Sequence, residues 1–343
     1  MLKEDPYDTS ESVPTMSPSS VRTNQSRMCN VERRLLRATP TVFLKRCYIY
    51  FSSKIVTTFW RSPATICSPL FGIINVNKHE YAEKMIYYYN IWEPSITCFV
   101  IDNLAEGDTF IDIGAYIGYY TLIASRIVGP GGKVISVEPS PSIFKKLINN
   151  VTINDAQNVV AINVGVADHS HTANFFLCHK SNASRSGVNI DPNDKDFFFE
   201  AKIPLEPIGN LVAMNDLRRA KIIKFDVEGA EASVIRSILN TMPFLRDDCI
   251  ILGEIRLGQR DGRQSSENVE LIKRLMGHGF SGVCLQNEYT HEFYIRRNYS
   301  NPIPLTLQEN RQIDVALCRQ PMVLRTFNGV AVRRSKGVIS SGF

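Results

Sequence analysis

The 343-residue chain lacks the features that mark membrane-spanning and secreted proteins. No run of about 18 apolar, uncharged residues occurs, so a transmembrane helix is not expected. The most apolar early stretch, 42–60, is interrupted by Lys45, Arg46 and Lys54. The first residues are acidic and polar, without the basic and apolar regions of a secretory signal. We therefore expect an intracellular, cytoplasmic protein.

Cysteine spacing and net charge argue against disulfide-rich, zinc-binding and nucleic-acid-binding proteins. The 8 cysteines form no C-x-x-C pair, and no Cys/His cluster has the spacing of a zinc site. This pattern argues against a disulfide framework and a structural metal. The formal charge is only +5, from 39 basic and 34 acidic residues that are dispersed along the chain. We therefore expect no nucleic-acid partner.

Composition divides the chain into an N-terminal region and a regular α/β core. Residues 1–30 are rich in Ser, Thr, Pro and Asn, which predicts a disordered tail. Residues 31–80 form a basic and aromatic extension. For the stretch from Arg27 to Arg61, a helix covering the core is the simpler interpretation. Between 31 and 61 the same residues suit peripheral contact with an anionic membrane. The core domain is predicted over 81–300, followed by a strand and basic tail at 301–343.

From residue 81 onward, short β-branched runs alternate with amphipathic segments. This alternation predicts a doubly wound α/β fold, a mostly parallel sheet with helices on both faces. Ligands of such sheets bind at the carboxyl ends of the strands. A polar and aromatic insert occupies 169–200. We predict strands at 109–113, 133–137, 159–164, 222–227, 249–254, 292–296 and 313–318. We predict helices on either side of Glu93-Pro94, at 117–127, from Pro141, at 229–239 and at 268–277.

The most informative motif is the glycine turn after the first of these strands. It runs Asp112-x-Gly114-Ala115-x-x-Gly118, whereas a dinucleotide-binding turn has the pattern G-x-G-x-x-G. An acid two residues before the first glycine would repel a pyrophosphate but can bind the ammonium of a methionine moiety. Glu138 ends the next strand, roughly 20 residues on, where a carboxylate accepts the hydroxyls of a ribose. This arrangement of charge favours S-adenosylmethionine over NAD.

Acids also mark the end of the fourth strand and the start of its helix. Asp226 and Glu228 are the predicted catalytic residues, either as general base or as groups that orient an acceptor hydroxyl. Glu231 lies in a first helical turn, where complementing the helix dipole is the simpler role. A divalent metal on Asp226 and Glu254 is chemically feasible, but no histidine is near them in sequence. We predict no metal.

Several stretches together resemble the FkbM-type methyltransferases, a class I group that uses S-adenosylmethionine. The similarity spans about 85–260, and Asp226 to Glu231 is its most specific part. The resemblance implies a seven-stranded Rossmann-like sheet with an antiparallel last strand, and methyl transfer usually to oxygen. The matching stretches are Tyr89 to Pro94, Gly107-Asp108, 112–121, 137–141, Leu147-x-x-Asn150-x-x-x-Asn154 and Lys224-Phe-Asp-Val-Glu-Gly-Ala-Glu231.

The resemblance also assigns residues to parts of the cofactor. Asp112, Gly114 and Gly118 would line the methionine side, and Val166 to Asp168 would flank the adenine. Tyr116 departs from the family, where Asn is usual, and Leu205-Glu206-Pro207 replaces a usual Leu-Asp pair. The complete predicted cofactor site consists of Asp112, Gly114, Ala115, Gly118, Tyr119, Glu138, Pro139, Val166 and Asp168.

Three functions are compatible with these patterns. The first is an O-methyltransferase that acts on a small molecule, glycan or lipid-like acceptor. The second is a non-catalytic nucleoside-binding adaptor that docks through its basic N-terminal segment. The third is a nucleotide-dependent oxidoreductase, which the missing middle glycine disfavours.

Overall fold

A computed structural model describes most of the chain from residue 63 onward. The predicted tail 1–30, the segment 31–61 except residue 44, and most of the sequence after 325 lie outside the described residues. The predictions made for those segments therefore stay predictions. The described residues are 44, 63–179, 183–257, 263–296, 302–307, 311–324 and 333–334.

Strands and helices alternate along the described part of the chain. The strands are β1 (Ala64–Ser68), β2 (Gly72–Val76), β3 (Thr109–Ile113), β4 (Lys133–Val137), β5 (Val159–Ile162), β6 (Gly165–Val166), β7 (His171–Cys178), β8 (Phe197–Glu206), β9 (Ala220–Phe225), β10 (Ile250–Leu257), β11 (Ser281–Leu285), β12 (Ile303–Pro304), β13 (Arg311–Cys318), β14 (Val323–Leu324) and β15 (Arg333–Arg334). The helices are α1 (Tyr81–Tyr89), α2 (Pro94–Asn103), α3 (Tyr119–Val128), α4 (Pro141–Ile153), α5 (Ile208–Leu211), α6 (Met214–Arg219), α7 (Glu231–Thr241), α8 (Arg263–Gly277) and α9 (His291–Arg296).

The central sheet has the spatial order β12-β11-β13-β10-β9-β3-β4-β5. Strands β5, β4, β3, β9 and β10 are parallel, and β13 is antiparallel to both β10 and β11. Every residue of β3 is buried, as expected for a parallel strand covered on both faces. The doubly wound, mostly parallel fold is confirmed. Its seven strands, with an antiparallel β13, are joined by an eighth, the two-residue edge strand β12.

Two predicted elements near the C-terminus are wrong. Residues 291–296 form helix α9 and no strand, because tertiary packing overrides the β propensity of Phe293 and Tyr294. Tyr294 is fully buried, with its ring 5.3 Å from that of Tyr89. Strand β11 was not predicted, since Ser281 and Gly282 are weak strand formers.

The described part of the N-terminal extension is a β-hairpin, and the segment up to Arg61, for which a helix was predicted, lies outside the described residues apart from residue 44. Strands β1 and β2 pair antiparallel, and two asparagines, Asn150 in α4 and Asn154 directly after it, hold β2 in place. The Asn75 N–H donates to Asn150 Oδ1 and the Ile73 N–H donates to Asn154 Oδ1, each at 2.8 Å. Asn150 also donates to the Ile117 carbonyl at 2.9 Å, which connects the hairpin to the glycine turn.

The insert 169–200 contributes a small three-stranded sheet of order β6-β8-β7. Its connecting segment returns to the central sheet beside the carboxyl ends of the strands. The Ala183 N–H donates to Glu80 Oε2 at 2.7 Å, and Asn189 donates to the Gly229 carbonyl at 2.7 Å. This segment therefore forms one wall of the site described below.

Candidate functional site

The turn after β3 adopts the left-handed backbone at three positions. Gly114 has φ +78, and a Cβ there would lie 2.0 Å from the Asp226 carbonyl oxygen. Gly118 has φ +91, and its Cβ would lie 2.6 Å from Leu147. Tyr116 has φ 52, a conformation in which Asn is common. Gly114 therefore brings the turn against the end of β9 and Gly118 brings it against α4, and a side chain would fit at neither position.

Glu138 closes this turn from β4. Its carboxylate is only 5% exposed and accepts the Tyr116 N–H at 2.9 Å and the Ser140 N–H at 3.0 Å. Burial raises the pKa of Glu138 to about 7, although the two N–H donors act in the opposite direction. Because a carboxylate has about four lone-pair sites, two of them remain for hydroxyl donors from a ligand.

A first cavity opens beside Glu138 at the carboxyl ends of β3 and β4. Its empty volume is about 730 Å³, which includes space open to solvent. Glu138, Pro139 and Val166, three of the predicted cofactor residues, line this cavity. Most of the remaining wall is apolar and suits a flat heterocycle. The apolar lining residues are Ile113, Val137, Ile143, Val164, Phe175, Val188, Val227 and Leu205.

A second cavity of about 1000 Å³ continues from the first and is lined by Ala115 and Tyr119. Its wall combines aromatic rings with carboxylates, so it suits a polar molecule with an apolar body. The residues that line both cavities, and therefore mark their junction, are Gly114, Tyr116, Ser184, Asp226 and Glu228. The aromatic lining residues are Tyr81, Trp92, Tyr116, Tyr119, Tyr120 and Tyr289, and the acidic ones are Glu93, Asp226, Glu228 and Glu254.

Asp112 does not lie where the prediction placed it. Its side chain is 1% exposed, accepts the Thr121 hydroxyl at 2.7 Å, and lines neither cavity. The adjacent Ile113 lines the first cavity, and successive strand residues point to opposite faces. Burial raises the pKa of Asp112, whereas the nearby Lys224 cation lowers it. Asp112 therefore supports the turn from behind.

Gly118 and Asp168 are also set back from the cavities. Gly118 begins helix α3 and packs against Leu147. The Asp168 carboxylate accepts Arg236 Nε at 2.6 Å and the Ser233 hydroxyl at 3.0 Å. Hydrogen bonds from Arg236, His169 and Ser233 hold its pKa below the usual value despite some desolvation. Asp168 therefore joins the turn after β6 to helix α7.

The two predicted catalytic acids lie at the junction of the cavities with different partners. The Asp226 carboxylate lies 3.5 Å from Nζ of Lys224, a lysine that is only 3% exposed. Glu228 forms an ion pair with Arg256 of β10. Burial nevertheless raises the pKa of Glu228 to about 7, with Arg256 acting in the opposite direction. Asp226 is the more accessible acid, with a side chain 36% exposed.

Sequence reasoning missed two charged residues of the second cavity, Glu93 and Lys224. Glu93 is 4% exposed, and its carboxylate accepts the hydroxyls of Tyr120 and Tyr289, each at 2.9 Å. Lys224 lies 4.7 Å from the centre of the Tyr120 ring. Both residues belong to stretches that carry the family resemblance. Their meeting joins the N-terminus of α2 to the end of β9, which no local pattern predicts.

A parallel sheet with an antiparallel β13, a glycine turn after β3 and an acid ending β4 define a class I, Rossmann-like methyltransferase fold. The family model described as "Methyltransferase FkbM domain" matches residues 112–281. The chain thus carries an FkbM methyltransferase domain, as the motifs predicted. S-adenosylmethionine is the cofactor of this class.

Curated relatives are similar over part of the chain. An arsenite methyltransferase of Halobacterium salinarum is 31% identical over 125 residues, which are 36% of this chain and 31% of that protein. Methyltransferase sdnD of Sordaria araneosa is 25% identical over 189 residues, 46% of this chain and 71% of that protein. The solved FkbM methyltransferase of Methylobacillus flagellatus aligns with TM-score 0.36 and 14% identity, over 69% of this chain and 54% of that one. The chain thus spans less than a third of the first of these relatives.

The residues present fit S-adenosylmethionine in both cavities. Glu138 would hold the ribose hydroxyls, and the apolar wall with Pro139 and Val166 would hold the adenine. The amino-acid part would lie along Ala115 and Tyr119. The ammonium group of S-adenosylmethionine would then face acids of the second cavity rather than Asp112. Among the described residues, no three His, Cys, Asp or Glu side chains converge as metal ligands would. None of the described helices is long and apolar enough to cross a membrane.

Glu138→Ala should weaken binding of S-adenosylhomocysteine by about 1–3 kcal/mol, or about 5- to 150-fold in Kd. The substitution removes the ribose acceptor and leaves the Tyr116 and Ser140 N–H groups without their carboxylate. Isothermal titration calorimetry measures the change. Glu270→Ala, on the exposed face of α8, is the control and should bind normally. Unchanged affinity in Glu138→Ala would place the ribose elsewhere.

The buried acids should make stability fall as the pH rises. Burial raises the pKa values of Glu138 and Glu228 from 4.5 to about 7. Each raised acid stabilises the fold while protonated, fully below about 4.5, and this contribution is lost as the pH rises through about 7. We expect the thermal midpoint to decrease between about pH 5 and pH 8, less steeply in Glu228→Gln than in Glu270→Gln. Scanning calorimetry tests this, and a midpoint that rises over the interval contradicts it.

Proposed function

We propose that the protein transfers a methyl group from S-adenosylmethionine to a hydroxyl of a small-molecule, glycan or lipid-like acceptor. The observation that carries this proposal is the position of Asp226. Its carboxylate lies where the first cavity, which would hold the nucleoside of the cofactor, meets the aromatic and acidic second cavity. An acceptor hydroxyl in the second cavity would therefore meet a general base beside the expected methyl position.

The chemistry requires little beyond alignment and removal of a proton. S-adenosylmethionine supplies an electrophilic methyl group on a sulfonium, and its displacement needs the acceptor oxygen in line. Asp226 accepts the hydroxyl proton, and its carboxylate lies 3.5 Å from the Lys224 ammonium. Glu228 is fixed by Arg256 and orients the acceptor. The aromatic wall of the second cavity excludes water from the acceptor oxygen.

The test is formation of S-adenosylhomocysteine by the purified full-length chain supplied with fractionated cell extract. We expect turnover that depends on one acceptor fraction, and a product heavier by one methyl group. Calorimetry with S-adenosylhomocysteine and NAD is run in parallel. Binding of S-adenosylhomocysteine without turnover in any fraction would favour the adaptor hypothesis. Tight NAD binding without S-adenosylhomocysteine binding would refute the proposal.

A further inference from the structure

Two carboxylates face each other across neighbouring strands on the far side of the site. Glu254 of β10 and Asp314 of β13 are directly opposed partners in the antiparallel ladder. Like charges in this position destabilise a sheet unless something compensates them. Strand β10 lies two strands from β3, about 10 Å from the glycine turn. The pair is therefore on the acceptor side of the methyl position and away from the cofactor turn.

Neither carboxylate forms an ion pair among the described residues, and the charge of Lys224 offsets the burial of Asp314 only in part. Asp314 is 6% exposed, and its Oδ2 accepts Asn287 at 2.8 Å, whereas its Oδ1 is buried without a hydrogen-bond partner in this part of the chain. No hydrogen bond or ion pair to Glu254 occurs there either. The cations that line the two cavities have other partners: Lys224 with Asp226, Arg256 with Glu228, and Arg185 with the Phe197 ring, 5.9 Å from its centre.

A buried oxygen without a hydrogen-bond donor destabilises the fold, and more strongly when it is charged. The carboxylates also act on one another. Burial, followed by the charge of Asp226, raises the pKa of Glu254, and burial likewise raises that of Asp314. A cation placed between the two would reverse both effects. The charged and titratable groups that surround the pair are Glu93, Asp226, Glu228, Glu288, Tyr289, Arg185, Lys224 and Arg256.

Aromatic rings line the second cavity in front of Glu254, and Tyr289 lines the third cavity in front of both carboxylates. Trp92 and Tyr289 line the second cavity together with Glu254, and their ring centres are 5.5 Å apart. Tyr81 closes the same wall, with its ring edge-on to Trp92 at 6.3 Å. A third cavity contains Glu254, Asp314 and Tyr289 and continues the second. Aromatic faces beside carboxylates attract an organic cation, through the ring quadrupole and through charge.

We propose that the methyl acceptor carries an ammonium group, which lies between Glu254 and Asp314 against the rings of Trp92 and Tyr289. This inference rests on the proposed function and adds the substrate class. A metal ion is the less suitable occupant, because no three ligating side chains converge in the described residues. The hydroxyl at Asp226 and the ammonium would then belong to one amino-alcohol.

The test compares choline with 3,3-dimethylbutan-1-ol, which has the same shape without the charge. Trp60→Phe leaves Trp92 as the only tryptophan of the 2 in the sequence, so fluorescence reports this cavity. We expect choline to bind at least about tenfold more tightly than the neutral alcohol. Choline has no ammonium proton to lose. Proton release on its binding, measured by calorimetry in two buffers, would therefore come from the protein carboxyls.

Variants in the Trp60→Phe background show whether the preference for choline depends on Glu254 and Asp314 or on negative charge anywhere on the protein. Glu254→Gln and Asp314→Asn should each abolish the preference for choline and its proton release, while Glu270→Gln should leave both unchanged. Both substitutions remove a buried like charge, so we expect neither to lower the thermal midpoint. Two independent variants keep the test decisive if one does not fold.

The outcomes distinguish this inference from the proposed function. Affinity for S-adenosylhomocysteine is measured first, and its absence counts against the methyltransferase proposal alone. The choline preference is then measured with and without S-adenosylhomocysteine. Equal binding of choline and the neutral alcohol would overturn the inference. Tight Mg²⁺ binding that Glu254→Gln removes would also overturn it, by identifying the pair as part of a metal site.

Discussion

Asp226→Asn should lower turnover by about 10²- to 10⁴-fold while S-adenosylhomocysteine binds with nearly its normal affinity. An amide has almost the same shape as the carboxylate but cannot accept the hydroxyl proton. It also removes the partner of the Lys224 ammonium, 3.5 Å away, without opening the nucleoside cavity. Single-turnover rates and calorimetry with S-adenosylhomocysteine separate the two effects.

The matched control for this substitution is Asp168→Asn. Asp168 was also predicted as a site residue, but its carboxylate binds Arg236 and Ser233 and lines neither cavity. We expect this change to lower the thermal midpoint and to leave turnover per folded molecule close to normal. Normal turnover in Asp226→Asn would show that the proton goes to another group, with Glu228 the next acid to test.

Gly114→Ala should abolish measurable cofactor binding and lower the thermal midpoint by several degrees. The left-handed backbone at φ +78 costs a residue with a Cβ about 1–2 kcal/mol. The added Cβ would also lie 2.0 Å from the Asp226 carbonyl oxygen, a backbone atom that moves only if β9 and the turn separate. Both cavities share this junction, so the separation affects the nucleoside and acceptor sides together.

Gly131→Ala is the control for a glycine substitution in the same region. A Cβ at Gly131 would meet no atom within 4 Å, and its φ is not in the left-handed range. Scanning calorimetry and S-adenosylhomocysteine titration of both variants decide the question. A Gly114→Ala protein that binds like Gly131→Ala would mean that the turn does not constrain the site.

Local sequence predicted the parts of the site that depend on backbone conformation. Gly114 is required by a tight turn after a buried strand, and Glu138 ends the neighbouring parallel strand at the same edge of the sheet. The sequence did not show that Asp112 lines neither cavity, because a one-residue difference in a strand reverses the direction of the side chain. Its neighbour Ile113 faces the cavity.

The second and third cavities are lined by segments that are far apart in the sequence, so local patterns could not predict them. Glu93 and Asp314 are separated by more than half of the chain, yet both raise the pKa of Tyr289, and Asp314 acts likewise on Glu93. Strand β13 enters the sheet between β10 and β11, which places Asp314 opposite Glu254. The order in which strands pair is set by packing of the whole sheet and leaves no local pattern.

By itself the sequence determined the alternation of strands and helices, the glycine turn and the class of cofactor. These follow from side-chain periodicity and from the backbone freedom of glycine, which act over a few residues. Only the tertiary structure decided which carboxylates face the ligand and which support the turn from behind. Strand order and side-chain direction decide this, because they set what surrounds each buried carboxylate. A buried carboxylate that finds hydrogen-bond donors becomes part of the core, whereas one without donors attracts a cation.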